Sequence, residues 1–196
     1  MSWIILLLVV MLAGCAVASY NGLITARNAF RNAYAQIDVQ LQRRHDLIPN
    51  LLETAKASLA HQRSTLEAVV QARNTALQAV SAARGHAGEA ALMQQLASAE
   101  HALGREMGRF LALAESCPDL KASQTMTELI EQLATTENRV AFARQAYNDQ
   151  VMSYNNRRER FPGNLLAGSF RFVAATLLEI QPSEAHKRAA PTLSFD

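Results

Sequence analysis

The side chains that most often bind metals or transfer protons are sparse in this sequence. It has five histidines and two cysteines among 196 residues. A di-iron site in a helical bundle requires a glutamate three residues before a histidine, so that both ligands lie on one helix face. No histidine meets this requirement, and the di-iron class is therefore excluded. The residues three positions before the five histidines are, in order, Gln42, Ser58, Ala83, Ser98 and Ser183.

The local motifs of common enzymes are also missing from the sequence. It contains no H-E-x-x-H zinc-peptidase motif, no C-x-x-C pair, no G-x-x-x-x-G-K-[ST] phosphate loop and no G-x-G-x-x-G. No G-x-S-x-G nucleophile elbow is present. Cys117 lies beside Pro118 at an expected helix start, but no base is recognisable near it. We therefore predict no catalytic residue, no metal site and no cofactor, and we expect the protein not to be an enzyme.

The elements available to position any site are helices. Hydrophobic residues make up 49% of the chain, aromatic residues only 6%, and the 35 alanines permit close helix packing. Between residues 20 and 160 the helix-breaking positions are Pro49, residues 85–88 and Pro118. The four segments between them carry apolar residues at alternating spacings of three and four. This pattern predicts an all-α fold with an antiparallel four-helix bundle over residues 20–160.

The first 19 residues form a separate, apolar segment. Residues 3–18 carry no charge and are close to the length that spans a bilayer, which predicts a transmembrane helix. The sequence Leu12-Ala13-Gly14-Cys15 allows a second route, a lipoprotein signal that is cleaved before a lipidated Cys15. Both routes anchor the protein to a bacterial cell membrane, so the lipid bilayer is an expected partner.

The sequence leaves two alternatives for the side of the membrane on which the bundle lies. Arg27 and Arg31 follow the apolar run and no basic residue precedes it, which favours a cytoplasmic bundle by the positive-inside rule. A lipidated Cys15 requires the opposite side, and our expectation leans to the envelope, periplasmic side. The net charge of +2 predicts no nucleic-acid partner.

A tight turn is predicted around the residues before Pro49. Cations are favoured at the end of a helix, an acid at the start of the next one, and proline in a first turn. The sequence Arg43-Arg44-His45-Asp46 fits this order and lies far from the predicted membrane segment. The alternative is that this turn presents Arg43, Arg44, His45 and Asp46 to a partner.

Some positions within the apolar pattern are polar or aromatic. Arg27, Arg73 and either Thr136 or Glu137 fall on it. Their polar groups either extend to the rim of the bundle, or an arginine pairs with a glutamate inside the bundle and sets its register. Tyr147 and Tyr154, each followed by asparagine, are seven residues apart and therefore share one helix face. We expect that face to pack against Phe30 and Tyr34.

The third predicted region, residues 161–196, begins where the fourth helix returns to the membrane. Residues 165–180 are apolar but too short and too charged to span a bilayer. We expect them to lie in the membrane interface or against a neighbouring subunit, with nearby arginines on anionic headgroups. The alternative is a flap over the open end of the same bundle, and residues 181–196 are expected to be a loose end. The candidate membrane contacts are Arg157, Arg158, Arg160, Phe161, Phe170, Arg171 and Phe172.

Two long stretches resemble the signature regions of the LemA family. The first comprises YNGLITARN from Tyr20 and IDVQLQRRHDLIPNLL from Ile37; the second runs from Leu120 through TENRVAFARQAYNDQVMSYNN to Phe161-Pro162. The resemblance covers Tyr20 to about Phe172, and Cys117 and Gln62 depart from the usual pattern. It implies an N-terminal membrane segment followed by a helical bundle, and it supplies no established activity.

The expected function combines the anchor, the bundle and the absence of catalytic motifs. We expect a scaffold or interaction protein of the cell envelope that self-associates as a homo-oligomer. Relatives are often described as encoded near a membrane zinc peptidase. The alternative is therefore an adaptor or partner subunit of a membrane enzyme such as that peptidase, an inference by association alone.

Overall fold

The computed structural model describes residues 2–179, and over this range the protein is all-α, as the sequence predicts. The predicted loose end at residues 181–196 lies outside the described residues. The helices are α1 (Ser2–Ala55), α2 (Arg63–Ala83), α3 (Ala90–Ser116), the short α4 (Pro118–Lys121), α5 (Gln124–Glu159) and α6 (Gly163–Ser169).

Helix α1 joins the membrane segment to the bundle without a break. Its 54 residues correspond to about 81 Å. The apolar N-terminal part has a mean hydropathy of 2.4 and is long and apolar enough to cross a membrane. Within residues 2–179 it packs against no other segment. Further along, α1 buries a regular series of side chains that begins at Leu23. The long apolar helix therefore indicates that the bundle is membrane-anchored.

The predicted turn before Pro49 is wrong, because α1 continues through Pro49 to Ala55. Proline lacks the N–H that would bond to the carbonyl four residues earlier, which here is that of His45. Arg73 of α2 supplies the missing donor, with its Nε 2.7 Å from the His45 oxygen. The first connection lies instead at residues 56–62, and α2 begins at Arg63.

The bundle consists of two antiparallel helix pairs. Helix α5 runs along α1, with the rings of Tyr34 and Tyr147 5.9 Å apart, and α2 packs along α3. The predicted aromatic packing is confirmed, since Tyr147 and Tyr154 both lie against Phe30. The largest fully buried side chains include Tyr147, Tyr154, Phe110, Leu23, Ile37, Leu41, Ile48, Met93, Leu96 and Leu103.

The α2–α3 pair does not reach the membrane end of the longer α1–α5 pair. The connection between α2 and α3 lies level with Phe30 and Asp38, since Gly88 approaches the Phe30 ring and Arg84 pairs with Asp38. Phe30 is about 16 Å and Asp38 about 28 Å along α1 from residue 19. Helix α6 and the extended residues 172–179, here called the strap, pack against this end of the bundle.

The strap corrects the expectation for the C-terminal segment. Its residues Phe172, Ala175 and Leu178 are buried against the protein's own bundle. Apolar side chains that have no helix pair to cover them are thereby removed from water. The described part of the segment therefore follows the flap alternative, and Phe172 is a core residue rather than an exposed membrane contact.

Candidate functional site

All four long helices contribute to one polar layer halfway along the bundle. The layer consists of Arg44 and His45 of α1, Arg73 of α2, Glu100 of α3 and Glu137 of α5. Arg44, His45 and Glu100 are buried. Because charged side chains are rarely buried without partners, the contacts inside this layer decide whether it stabilises the bundle.

Arg44 bridges two carboxylates that come from different helices. Its Nη1 lies 3.1 Å from Glu100 Oε2 and its Nη2 lies 3.0 Å from Glu137 Oε1. The planar guanidinium suits such a two-pronged contact, and hydrogen bonds between charged partners are stronger than neutral ones. Arg44 therefore ties α1 to α3 and to α5 at one level.

His45 contacts the second oxygen of the Glu100 carboxylate. Its Nε2 lies 2.9 Å from Glu100 Oε1, and the imidazole is fully buried. In the tautomer with its proton on Nε2, the ring donates to this carboxylate oxygen. Its Nδ1 has no hydrogen-bond partner within residues 2–179. Glu100 thus receives one donor on each oxygen, from two consecutive residues of α1.

The geometry of the polar layer suits a structural role, in which its side chains hold the helices together. Its central charge is the Arg44 guanidinium, which lies between the two carboxylates. Among the residues that the structure describes, no group of three His, Cys, Asp or Glu side chains is placed to hold a metal ion. Two open depressions lie on the outside of the bundle, one around Asp149 and Arg160 and one around Arg43 and Glu128.

An arginine–glutamate pair inside the bundle was one of the two open interpretations, but the arginine is Arg44 rather than Arg27 or Arg73. A sequence signal for it exists. Arg44 lies three residues after Leu41, and Glu100 lies four residues after Leu96, so both are on the apolar faces of their helices. The expected turn at Pro49 concealed the first of these positions.

The four residues predicted to contact a partner do not stay together. Arg44 and His45 lie in the core, whereas Arg43 and Asp46 are exposed on the opposite side of α1. Asp46 accepts a hydrogen bond from Gln42 Nε2 at 3.0 Å. Partner binding through Arg43 and Asp46 stays a prediction, on a helix surface rather than on a turn.

The candidate membrane contacts separate in a similar way at the other end. Five of them are exposed and surround the end of α5 and α6; we call Arg157, Arg160, Phe161, Phe170 and Arg171 the collar. The Phe161 side chain is 79% exposed and that of Phe170 is 58% exposed.

The two remaining candidates at this end are partly or fully covered. Arg158 pairs with Glu159 at 2.9 Å. The buried Phe172 ring has the Arg27 guanidinium 5.2 Å from its centroid, a cation–π contact, and lies edge-on to Tyr20. Arg27 thus faces an aromatic ring of the strap, not a glutamate.

The side chains that hold the strap were not predicted as a site. Asn155 Oδ1 accepts from the Ala175 N–H at 3.0 Å, and its Nδ2 donates to the Ala175 carbonyl at 2.8 Å. Asn148 makes the same pair of bonds to Leu178, at 2.9 and 3.2 Å. The sequence signal for this arrangement is the repeated Tyr-Asn dipeptide seven residues apart, each copy of which faces the strap.

The neighbouring tyrosines bond to the strap as well. Tyr154 donates its hydroxyl to the Val173 carbonyl, and Tyr147 donates to the Thr176 carbonyl, both at 2.8 Å. Burial raises the pKa of Tyr147 and of Tyr154 above the ordinary phenol value, because the charged phenolate is disfavoured away from water. Burial, assisted by the Asp38 carboxylate, raises the pKa of Tyr34 in the same way.

Comparison with known proteins gives relatives named for a cellular structure. Magnetosome proteins MamQ 1 and MamQ 2 of Paramagnetospirillum magneticum are each 24% identical to the chain over 179 residues, covering 84% of it and 66% of their own length. Magnetosome protein MamQ of Magnetospirillum gryphiswaldense is 23% identical over 163 residues, covering 76% of the chain and 60% of its own length. The chain thus spans less than two thirds of the length of these relatives.

A match to a protein family covers most of the chain. Residues 33–195 match the LemA family, so the match extends beyond Phe172 into the tail, which the signature motifs leave unmatched. The motifs, the helical bundle and this match agree, and the chain belongs to the LemA family.

Proposed function

We propose that this protein is a membrane-anchored scaffold of the bacterial cell envelope that associates with itself and catalyses no reaction. The observation that carries the proposal is the continuity of α1 from the apolar segment into the core of the bundle. A helix without a linker holds the bundle upright on the membrane, since an uninterrupted helix bends only gently. Neighbouring copies therefore present the same surfaces at the same height.

The absence of a reaction is supported by the state of the polar side chains. The strongest chemical cluster, Arg44 with His45 and Glu100, is buried and internally bonded. A catalytic group needs access to a substrate. The curated relatives are named for a structure, the magnetosome, rather than for a reaction. Both points favour a structural role.

The collar is the proposed contact with lipid headgroups. Arg157 approaches Gly22 and Phe170 contacts Tyr20, just beyond the apolar run of α1. Both phenylalanines of the collar are exposed. Arginine near an anionic surface contributes about 1 kcal/mol per charge, and phenylalanine side chains bury their rings at the boundary between headgroups and acyl chains. The collar would fix the tilt of the bundle on the membrane.

We place the bundle on the periplasmic side, with a retained helix or a lipidated Cys15 as the two routes of anchoring. Mass measurement of the purified chain separates the routes, because lipidation removes the residues before Cys15 and adds acyl chains. Protease treatment of cells with an opened outer envelope and a sealed cytoplasm tests the side. Cleavage of the bundle under these conditions would exclude the cytoplasm. Survival there, together with cleavage once the inner membrane is opened, would place the bundle in the cytoplasm.

A second candidate function is that of an adaptor for a membrane enzyme such as a zinc peptidase. The exposed depression between α1 and α5 favours it, because Arg43, Glu128, Glu131 and Arg139 offer charges of both signs to a partner. Purification in mild detergent followed by mass measurement of the particle distinguishes the two functions. A homo-oligomer supports the scaffold, a stoichiometric peptidase supports the adaptor, and a lone monomer contradicts both.

A further inference from the structure

The strap is held in the manner of a bound peptide. Six side-chain hydrogen bonds run from α5 to the strap, and every one ends on a main-chain atom. A seventh bond joins the Thr176 N–H to the Gly88 carbonyl at 2.9 Å. Contacts to main-chain atoms do not depend on side-chain identity. The groove therefore recognises an extended chain as such.

Side-chain selection comes from three seats spaced three residues apart. Phe172, Ala175 and Leu178 are buried, whereas Val173 between them is 77% exposed. The middle seat accepts only a small residue, because Ala175 already contacts the backbone at Gly88, where an added Cβ would lie 3.0 Å from it. The groove therefore fits an extended peptide that has a large apolar residue in the first and third seats and a small residue in the middle seat.

The groove formed by Tyr147, Asn148, Tyr154, Asn155 and Gly88 is here called the strap groove. We infer that the strap groove of one copy accepts the strap of a second copy, so that neighbouring proteins exchange straps. This inference rests on the self-association proposed above. The second copy is the favoured donor because its strap satisfies all seven main-chain bonds and all three seats without any change.

The connection between α6 and the strap favours this exchange. Arg171 has φ of 55°, a left-handed conformation that residues other than glycine adopt at a cost. A short, strained connection promotes exchange of the segment that follows it. The exchanged strap keeps its contacts, while residues 170 and 171 are no longer forced to turn back on their own bundle.

The membrane supplies the geometry that exchange requires. Each strap groove begins at the membrane end of α5, beside the strap's first residue, Phe172. Copies anchored through α1 hold these ends at one height and in one orientation. Two copies side by side can therefore exchange straps symmetrically, as a closed dimer requires.

The exchange is tested by complementation between two full-length variants with different affinity tags. Leu178→Asp places a carboxylate in a fully buried seat and disables the strap, while its groove stays intact. Asn148→Ala combined with Asn155→Ala removes four hydrogen bonds and disables the groove, while its strap stays intact. The matched controls are Val173→Asp, on the exposed side of the strap, and Asn156→Ala, on the exposed side of α5.

We expect wild type and both controls to co-purify across tags. Each disabled variant should lose self-association by at least about tenfold, because the groove of a second copy then no longer holds its strap. Mixing the two disabled variants should restore co-purification, because one intact strap then meets one intact groove. Far-ultraviolet circular dichroism checks that each variant keeps its helices.

A direct binding measurement complements the mixing experiment. A labelled synthetic peptide of residues 172–179 should bind full-length Leu178→Asp at least about tenfold more tightly than the same variant with the disabled groove. Absence of this difference would overturn the inference even if every variant folds.

The outcomes separate this inference from the proposed function. If the disabled variants, alone or mixed, associate as well as wild type, the copies contact each other elsewhere: strap exchange is wrong and the scaffold proposal stands. If wild type itself is monomeric in detergent and in membranes, self-association and strap exchange both fail.

Discussion

Arg73 donates its Nε hydrogen across 2.7 Å to the carbonyl oxygen of His45, the carbonyl that Pro49 deprives of its helical partner. In a regular helix the N–H of residue 49 would serve the oxygen of residue 45. An arginine of α2 thus repairs a gap in α1. The repair explains how a proline lies inside a helix of 54 residues.

The first prediction concerns this repair. Arg73→Met should lower the free energy of unfolding by about 1–3 kcal/mol, because it leaves a carbonyl without its donor. In a Pro49→Ala background the same substitution should cost much less, since the new N–H of residue 49 serves the carbonyl. Denaturant unfolding of the four proteins of this cycle in detergent measures the difference.

The control for the first prediction is Arg63→Met. Arg63 is an exposed arginine at the start of the same helix, and its loss should change the free energy of unfolding by less than about 0.5 kcal/mol. An equal cost of Arg73→Met with and without Pro49 would contradict the proposed repair.

The second prediction concerns the buried ion pairs. Glu100→Ala should lower the free energy of unfolding by about 3–5 kcal/mol, because Arg44 and His45 then keep their burial but lose a shared partner. Glu53→Ala is the matched control, since Glu53 pairs with Lys56 on the surface and surface pairs contribute at most about 1 kcal/mol. Equal losses for the two variants would show that the polar layer contributes nothing special.

The third prediction concerns alkaline pH. The pKa of Tyr34, Tyr147 and Tyr154 is raised in the folded protein, whereas tyrosine in an unfolded chain ionises near about pH 10. Above that pH the unfolded chain releases protons that the folded protein retains. The contribution of these tyrosines to the free energy of unfolding is therefore fully present below about pH 10. It is lost as the pH rises further.

Phenolate absorbance measures this effect. Between about pH 10 and 11 the folded protein should show less phenolate than the same chain in guanidinium chloride. The shortfall should vanish when the protein unfolds. Tyr147→Phe should reduce the delayed part of the titration and leave the early part unchanged. Identical titrations of folded and unfolded chain would contradict the prediction.

The fourth prediction concerns the collar. Full-length protein in nanodiscs with anionic lipids should show slower hydrogen exchange in α6 than in nanodiscs with neutral lipids, because the collar arginines then rest on headgroups. Replacing Arg157, Arg160 and Arg171 by glutamine should abolish the difference between the two lipids.

The control for the collar removes the same charge elsewhere. Arg63, Arg105 and Arg139 are exposed and far from the membrane end of the bundle. Their replacement by glutamine should preserve the lipid dependence. Loss of the lipid dependence in this control would show that net charge, not the collar, is responsible.

The local pattern of the sequence was sufficient for the helices and for the aromatic seam. Apolar residues spaced at three and four, as at Leu96, Ala99 and Leu103, define a buried face whatever the partner helix is. The absence of charge at residues 3–18 likewise needs no tertiary information. These features could be predicted because they depend on one helix and its solvent.

Tertiary structure decided the features that depend on two distant segments. Pro49 by itself indicates a helix start, and the side chain of Arg73, 28 residues after His45, supplies the donor with which α1 continues. The Tyr-Asn repeat predicts one face of α5. The strap can cover that face only because the shorter α2–α3 pair leaves it uncovered. The carbonyl that Pro49 leaves without a donor and the asparagine amides each have several possible partners along the chain. Only the packing of the helices determines which partner comes within hydrogen-bond distance.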